Sequence, residues 1–208
     1  MIEQRLKHLR ELLREQHLDA ILISQPENRR YLSGFTGSAG ILLISQNRAL
    51  LATDFRYFEQ VQKQAPAFEL VKVTNSSRDA LAAQIAALEV HRLGFESHDV
   101  SVETFEQWKQ AVTGVEWVAT SGLVERLRRV KDPAEISAIT EAVRIADEAM
   151  AHIMDWIRPG VTEREIAWEL EVHMRTHGAD SLSFTTIVAS GPNGAMPHAV
   201  TSERAVQT

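Results

Sequence analysis

The chain has 208 residues, a formal net charge of −6, 44% apolar and 24% charged residues, and no cysteine. The acidic balance argues against electrostatic binding to nucleic acid or to a membrane surface. The lack of thiols excludes disulfides, thiolate metal sites and cysteine nucleophiles.

The length suits one and a half or two domains. Residues 1–16 mix charges with leucines and do not read as a signal peptide. No apolar run reaches the ~20 residues of a membrane span, so a cytoplasmic location is expected. Ile2, Leu6, Leu9 and Leu13 recur at helical spacing and predict an amphipathic opening helix. Residues 19–24 read as a short buried strand, and Gln25-Pro26-Glu27-Asn28 as a turn. Between Tyr31 and Gly40, three glycines and two aromatics suggest a loop that something approaches closely. Residues 41–45 and 49–53 flank a short turn and predict a hairpin.

Asp54 is a good N-cap for a helix beginning at Phe55-Arg56-Tyr57. Residues 68–73, 92–96 and 115–119 read as strands. Segments 77–90, 101–111 and 123–130 read as helices, with Ser101 and Thr104 as capping candidates. About six strands alternating with helices predict an α/β layer domain over residues 1–130. Lys131-Asp132-Pro133 marks a boundary, with Asp132 as N-cap and Pro133 in the first helical turn. The helix after it carries Ile136, Ile139, Val143, Ala146, Met150, Ile153 and Ile157 on one face and stops at Pro159-Gly160. Thr162 and Glu165 form a capping box for a helix that ends at Gly178. The run from Ser183 to Ser190 predicts a strand. Gly191, Pro192, Asn193 and Gly194 break it into a loop that delivers His198 just after Pro197.

Most side-chain groupings have a bland explanation. His173 and His177 have chelating spacing, but Met174 stands where a zinc-protease motif needs glutamate, so a solvated helix face is expected. The 34–40 glycine loop lacks both a P-loop lysine and a GxGxxG pattern. Arg126, Arg128, Arg129 and Lys131 read as a solvated basic face. Trp156 and Trp168 read as core or interface packing. His198 is a candidate proton-handling group on a rigid loop. Ser190 and Ser202 lie near it in sequence, yet no G-x-S-x-G elbow is present.

Several segments, in order, resemble one family. They are Tyr31-Leu-Ser-Gly34-Phe35-Thr-Gly-Ser-Ala-Gly40, Thr53-Asp-Phe-Arg56-Tyr57, Arg129-Val-Lys-Asp-Pro-Ala-Glu-Ile136, Pro159-Gly-Val-Thr-Glu163, and Phe184 to Gly191 continued to Pro197-His198. Together they are similar to the aminopeptidase P / prolidase (Xaa-Pro peptidase, M24) family, in its short bacterial form, over essentially the whole chain. The resemblance implies a creatinase-type N-terminal mixed-sheet domain with flanking helices (1–130). The first part of an α+β pita-bread catalytic domain (131–208) would follow it. It also implies hydrolysis of the Xaa-Pro bond in proline-containing peptides by two divalent ions, manganese or cobalt, and a cytoplasmic homodimer.

His198 would correspond to a family histidine that contacts substrate and helps stabilise the reacting carbonyl or shuttle protons. Tyr31, Phe35 and Arg56 would belong to a substrate-binding loop or one that reaches the neighbouring subunit. The family's metal ligands are two aspartates, a histidine and two glutamates, and no residue here matches any of them. The chain stops at Val206-Gln207-Thr208, just before the strand that carries the first aspartate. The expectation is therefore a truncated chain that binds no metal alone and is inactive alone, with an uncovered apolar helix face in 132–208. Two alternatives stand beside this reading: a non-catalytic pita-bread protein-binding module and a creatinase-like amidinohydrolase.

Overall fold

Leu6, Leu9 and Leu13 line one face of α1 (Ile2–Glu15) and are buried with it. In the computed structural model, which describes residues 1–208, this helix covers one face of a six-stranded sheet. The chain divides into two units, Met1–Val130 and Lys131–Thr208.

The sheet of the first unit is mixed. β1 (Ala20–Ile23) pairs antiparallel with β2 (Ile41–Ser45), and β2 antiparallel with β3 (Ala49–Asp54). β4 (Glu69–Val73) lies parallel to β3. On the other side of β1, β5 (Arg92–Glu96) and β6 (Glu116–Thr120) continue in parallel. The strand order is β4-β3-β2-β1-β5-β6. Strands β1 to β3 are near-continuous apolar runs because both faces of the sheet are covered. Ile21, Ile23, Leu42, Ile44 and Leu51 point into one core, and Leu22, Leu43, Leu50 and Leu93 into the other.

Helix α2 (Pro26–Ser33) stands where the sequence suggests a turn. Its run, Pro-Glu-Asn-Arg-Arg-Tyr-Leu-Ser, has no apolar period, so local pattern hides it. Pro26 sits in the first turn, and Gly34 closes the helix at φ +80°. α3 (Phe58–Gln64) follows a 3₁₀ turn at Phe55–Tyr57, whose N-cap is Asp54 as expected. α4 (Ser77–Ala87) and α5 (Val102–Ala111) cover the second face, and Ser101 caps α5 by accepting the Thr104 N–H at 3.1 Å. α6 (Leu123–Arg129) ends the unit. Its arginines are not simply a solvated face, since Arg128 donates to the Asn28 side-chain oxygen at 2.8 Å.

In the second unit, α7 (Pro133–Trp156) and α8 (Glu163–Thr176) each begin with a complete capping box. α7 buries Ile145, Ala149 and Ile153, and only Ile153 of these lies on the predicted face. Ile136, Ile139, Val143 and Met150 stay half exposed, the uncovered face the sequence suggests. Trp156 packs on a small cluster around Ile153, Val161 and Ile166, whereas Trp168 is exposed. The predicted 183–190 strand does not form. A strand needs a partner ladder. Here the Val188 N–H goes to the Thr201 hydroxyl and the Ser190 N–H to Glu163 instead. The one bridged pair of the unit joins Thr162 to Ala205.

Candidate functional site

The second unit builds its polar centre around Glu163, the first residue of α8. Its side chain is fully buried. One carboxylate oxygen accepts from the Ser190 N–H (2.6 Å), the Ser190 hydroxyl (3.0 Å) and the Asn193 amide (3.1 Å). The other accepts from the Ser202 N–H (3.1 Å), the Ser202 hydroxyl (2.7 Å) and again Asn193 (3.2 Å). The Glu163 backbone N–H goes to the Arg204 carbonyl. A buried carboxylate is tolerated only when its lone pairs are filled in this way. The donors, led by Ser202 and Ser190, pull its carboxyl from the ordinary 4.5 down to about 2.

Because the folded value lies below the unfolded one, the stabilisation from Glu163 is complete above about pH 4.5. It is lost as the pH falls towards about 2. Amide exchange across residues 190–202 is expected to accelerate through that window. The Glu163→Gln variant should show no such acid limb, and an unchanged limb in the variant would mean that another group is responsible.

His198 lies on the loop these bonds tie down. A 3₁₀ turn at Gly191–Ala195 precedes it, with Gly191 at φ +52° against the Arg204 guanidinium. Ala199 is buried beside it, while the His198 imidazole is exposed and makes no side-chain hydrogen bond within the chain. His173 and His177 are not simply solvated. His152, His173 and His177 stack with ring centroids 4.5 and 3.9 Å apart, and His152 Nε2 pairs with Glu169 at 2.7 Å. Burial, together with the neighbouring His177 and His152, lowers the His173 pKa.

The first unit places the other predicted residues. Phe35 is 1% exposed and sits in the core, edge-on to Tyr57 at 5.7 Å. It therefore shapes the 34–40 loop from inside and offers no surface to a ligand. The loop's outer wall is instead Thr36, joined to Gln60 and Gln64, and Ser38, joined to the Tyr57 hydroxyl. Tyr31 is half-buried under the Arg5 guanidinium, 4.1 Å above its ring. Arg56 is exposed and forked onto Asp54, which lowers the Asp54 carboxyl to about 2. Arg29, nearly fully buried, donates to the Gly37 and Gly40 carbonyls at 2.7 Å each and so sets the loop's shape.

One group of side chains has metal-ligand chemistry: Glu96, His98 and Glu125, with ligand atoms within 4.8 Å of one another. It does not fit a cation. The Asn28 amide already bridges the carboxylates, at 2.6 Å from Glu96 and 2.7 Å from Glu125. The second Glu96 oxygen accepts the Ser24 and Gln25 backbone N–H groups at 2.7 and 2.8 Å. Glu96 thus caps the N-terminus of α2, where the positive end of the helix dipole favours a carboxylate. Burial raises its pKa against the pull of these donors. In residues 131–208, Glu163 is consumed by its own donors, and no three ligand side chains converge.

Sequence reasoning missed Glu163, Glu96 and Asn28. Glu163 lies inside a recognised motif, but its partners are 27 to 39 residues away. A glutamate at the first helical position already satisfies a local preference, which masks any longer-range role.

The creatinase/prolidase N-terminal domain family matches residues 5–130, and metallopeptidase family M24 matches residues 137–208. The chain is 39% identical to peptidase YqhT of Bacillus subtilis strain 168, over 98% of this chain and 58% of that one. It superposes on an Xaa-Pro dipeptidase from Bacillus anthracis with a TM-score of 0.94 and 43% identity, covering 100% of this chain and 58% of that one. The N-terminal domain of cytoplasmic peptidase PepQ from Mycobacterium tuberculosis H37Rv matches 60% of this chain over 98% of its own length, with 40% identity and a TM-score of 0.57. The chain thus spans a little over half the length of the first two relatives. No helix is long and apolar enough to cross a membrane.

Proposed function

The chain belongs to the creatinase/prolidase family, with a creatinase-like N-terminal domain followed by part of an M24 metallopeptidase domain, and from this we propose that it works within an Xaa-Pro peptidase of its relatives' full length. The reaction is hydrolysis of the peptide bond before proline, in dipeptides or at peptide N-termini. The observation that carries the reading is the 0.94 TM-score with an Xaa-Pro dipeptidase over the entire chain. We place the domain boundary at residues 130/131, where the chain divides. A cytoplasmic homodimer completes the reading, supported for location by the likeness to cytoplasmic PepQ.

The residues present do not fit two divalent ions, so the proposal assigns metal binding to the length that the relatives have in addition. Bound divalent metal would act as a Lewis acid and lower the pKa of water. What residues 1–208 contribute is substrate handling. His198 presents an unpaired imidazole from an anchored loop, suited to donate to a carbonyl oxygen or to move a proton. The 34–40 loop, with Arg56 and Tyr57 beside it, forms the surface for substrate or the second subunit, and Phe35 and Tyr31 support it from beneath.

The test is turnover of an Xaa-Pro dipeptide and an Xaa-Pro tripeptide by the full-length gene product. Hydrolysis is expected, abolished by a chelator and restored by manganese or cobalt. Turnover that survives chelation would sink the metal mechanism. No turnover of either peptide would favour the non-catalytic binding module.

A further inference from the structure

We infer that Glu163 is the positioning residue for His198. The inference rests on the reading of His198 as a substrate-contacting group, and it adds the element that fixes where this imidazole stands. His198 has no side-chain bond of its own, so its placement is set by its backbone. That backbone is pinned on both sides by one carboxylate. Upstream, Glu163 holds the Ser190 N–H and hydroxyl and the Asn193 amide. Downstream, it holds the Ser202 N–H and hydroxyl. Two further main-chain bonds, Glu163 N–H to the Arg204 carbonyl and Arg164 N–H to the Ser202 carbonyl, fasten the same strap to the start of α8. His198 is carried between the two pinned points.

The anchor is also rigid. α8 has its own capping box through Thr162 and Glu165, so Glu163 is not needed to start the helix. Its side chain is free to serve the loop, and that is where all its bonds go. If the pins were released, the nearest remaining tie would be the Thr201 hydroxyl, which joins the Val188 N–H and the Thr186 carbonyl. This leaves a longer and looser span around His198. Closing a loop at nearer points costs less entropy and leaves fewer conformers, and a displacement of ~1 Å at a reacting group can lower the rate ~100-fold.

Glutamine is the informative replacement. One of the two carboxylate oxygens becomes an NH₂. Either the Ser190 or the Ser202 backbone N–H then faces a donor, and a backbone N–H cannot reorient as a hydroxyl can.

The experiment uses the full-length protein with an Xaa-Pro dipeptide. Glu163→Gln is expected to lower kcat roughly 10- to 100-fold, with KM changed less than about twofold. Ser202→Ala, which removes only the hydroxyl bond and keeps the Ser202 N–H bond and the upstream pin, should lose less. In a His198→Ala background, Glu163→Gln should cost nothing more, because the two act as one unit. Independently of turnover, the imidazole NMR signal of His198, identified by its loss in His198→Ala, should broaden or shift in both Glu163→Gln and Ser202→Ala. Equal rate losses from Glu163→Gln with and without His198 would overturn the inference, as would an unmoved His198 signal. If His198→Ala alone leaves turnover unchanged while Glu163→Gln still moves the His198 signal, the positioning stands and the catalytic reading of His198 falls.

Discussion

Replacing Asn28 with alanine is expected to destabilise the first unit by about 3 kcal/mol, enough to lower its melting temperature by roughly 10 °C. Asn28 is fully buried and bonds to three charged side chains at once. Its NH₂ group spends one hydrogen on Glu96 and one on Glu125, and its oxygen accepts from Arg128. Alanine removes all three and leaves the buried Glu96 carboxylate short of a donor. Burial already raises the Glu96 pKa, so its charged form depends on these partners. Asn28→Asp should be worse than alanine, because an acceptor-only carboxylate would then face two others. Adding Glu125→Gln to Asn28→Asp should recover part of the loss by restoring a donor. Hydrogen exchange in β1, β5 and α2 reads the effect within the first unit. An Asn28→Ala variant with native protection in those three elements would show that the network carries no stability.

Gly37→Ala is expected to cost a similar amount, about 3 kcal/mol, at the top of the range for overpacking a core. A Cβ on Gly37 would lie 2.1 Å from Cζ of Phe35 and 2.8 Å from both Cε atoms. The ring cannot swing aside cheaply. Phe35 is enclosed by the core, meets Tyr57 edge-on, and lies under the Arg29 guanidinium. Arg29 also holds the Gly37 carbonyl at 2.7 Å, so the backbone cannot retreat without breaking a bond to a buried cation. Gly40 is the control. Its added Cβ would meet Phe35, the Ala52 carbonyl and Leu51 at 3.3 to 3.5 Å, so Gly40→Ala should cost under about 1 kcal/mol. Urea midpoints of the two variants measure the difference. Equal midpoints would show that the Phe35 ring adapts.

These two sites mark where local reading stops. Helix α1, the β2–β3 hairpin, the Asp54, Ser101, Asp132 and Thr162 caps and the α7–α8 pair are legible because each is specified within a few residues. The family resemblance is legible for a related reason: its motifs are short strings in a set order. Phe35 shows the converse. In the sequence it is an aromatic in a glycine loop, which suggests exposure to a ligand. In the structure, Gly37 and Gly40 leave room for the ring to fold inward.

The sequence by itself determined the alternation of strands and helices and the family. The alternation follows from periodicity and local caps, and the family from motif strings in a set order. Only the tertiary structure decided where the charged groups go. Glu96 caps α2 from 71 residues away, Asn28 meets Arg128 across 100, and Glu163 reaches Ser202 across 39. The physical reason is that a buried carboxylate or amide needs donors and acceptors wherever the fold brings them. No periodic pattern records that need. It leaves α2 and Glu163 looking ordinary in the sequence, although α2 holds the loop proposed to meet the substrate or the second subunit and Glu163 the loop that carries His198.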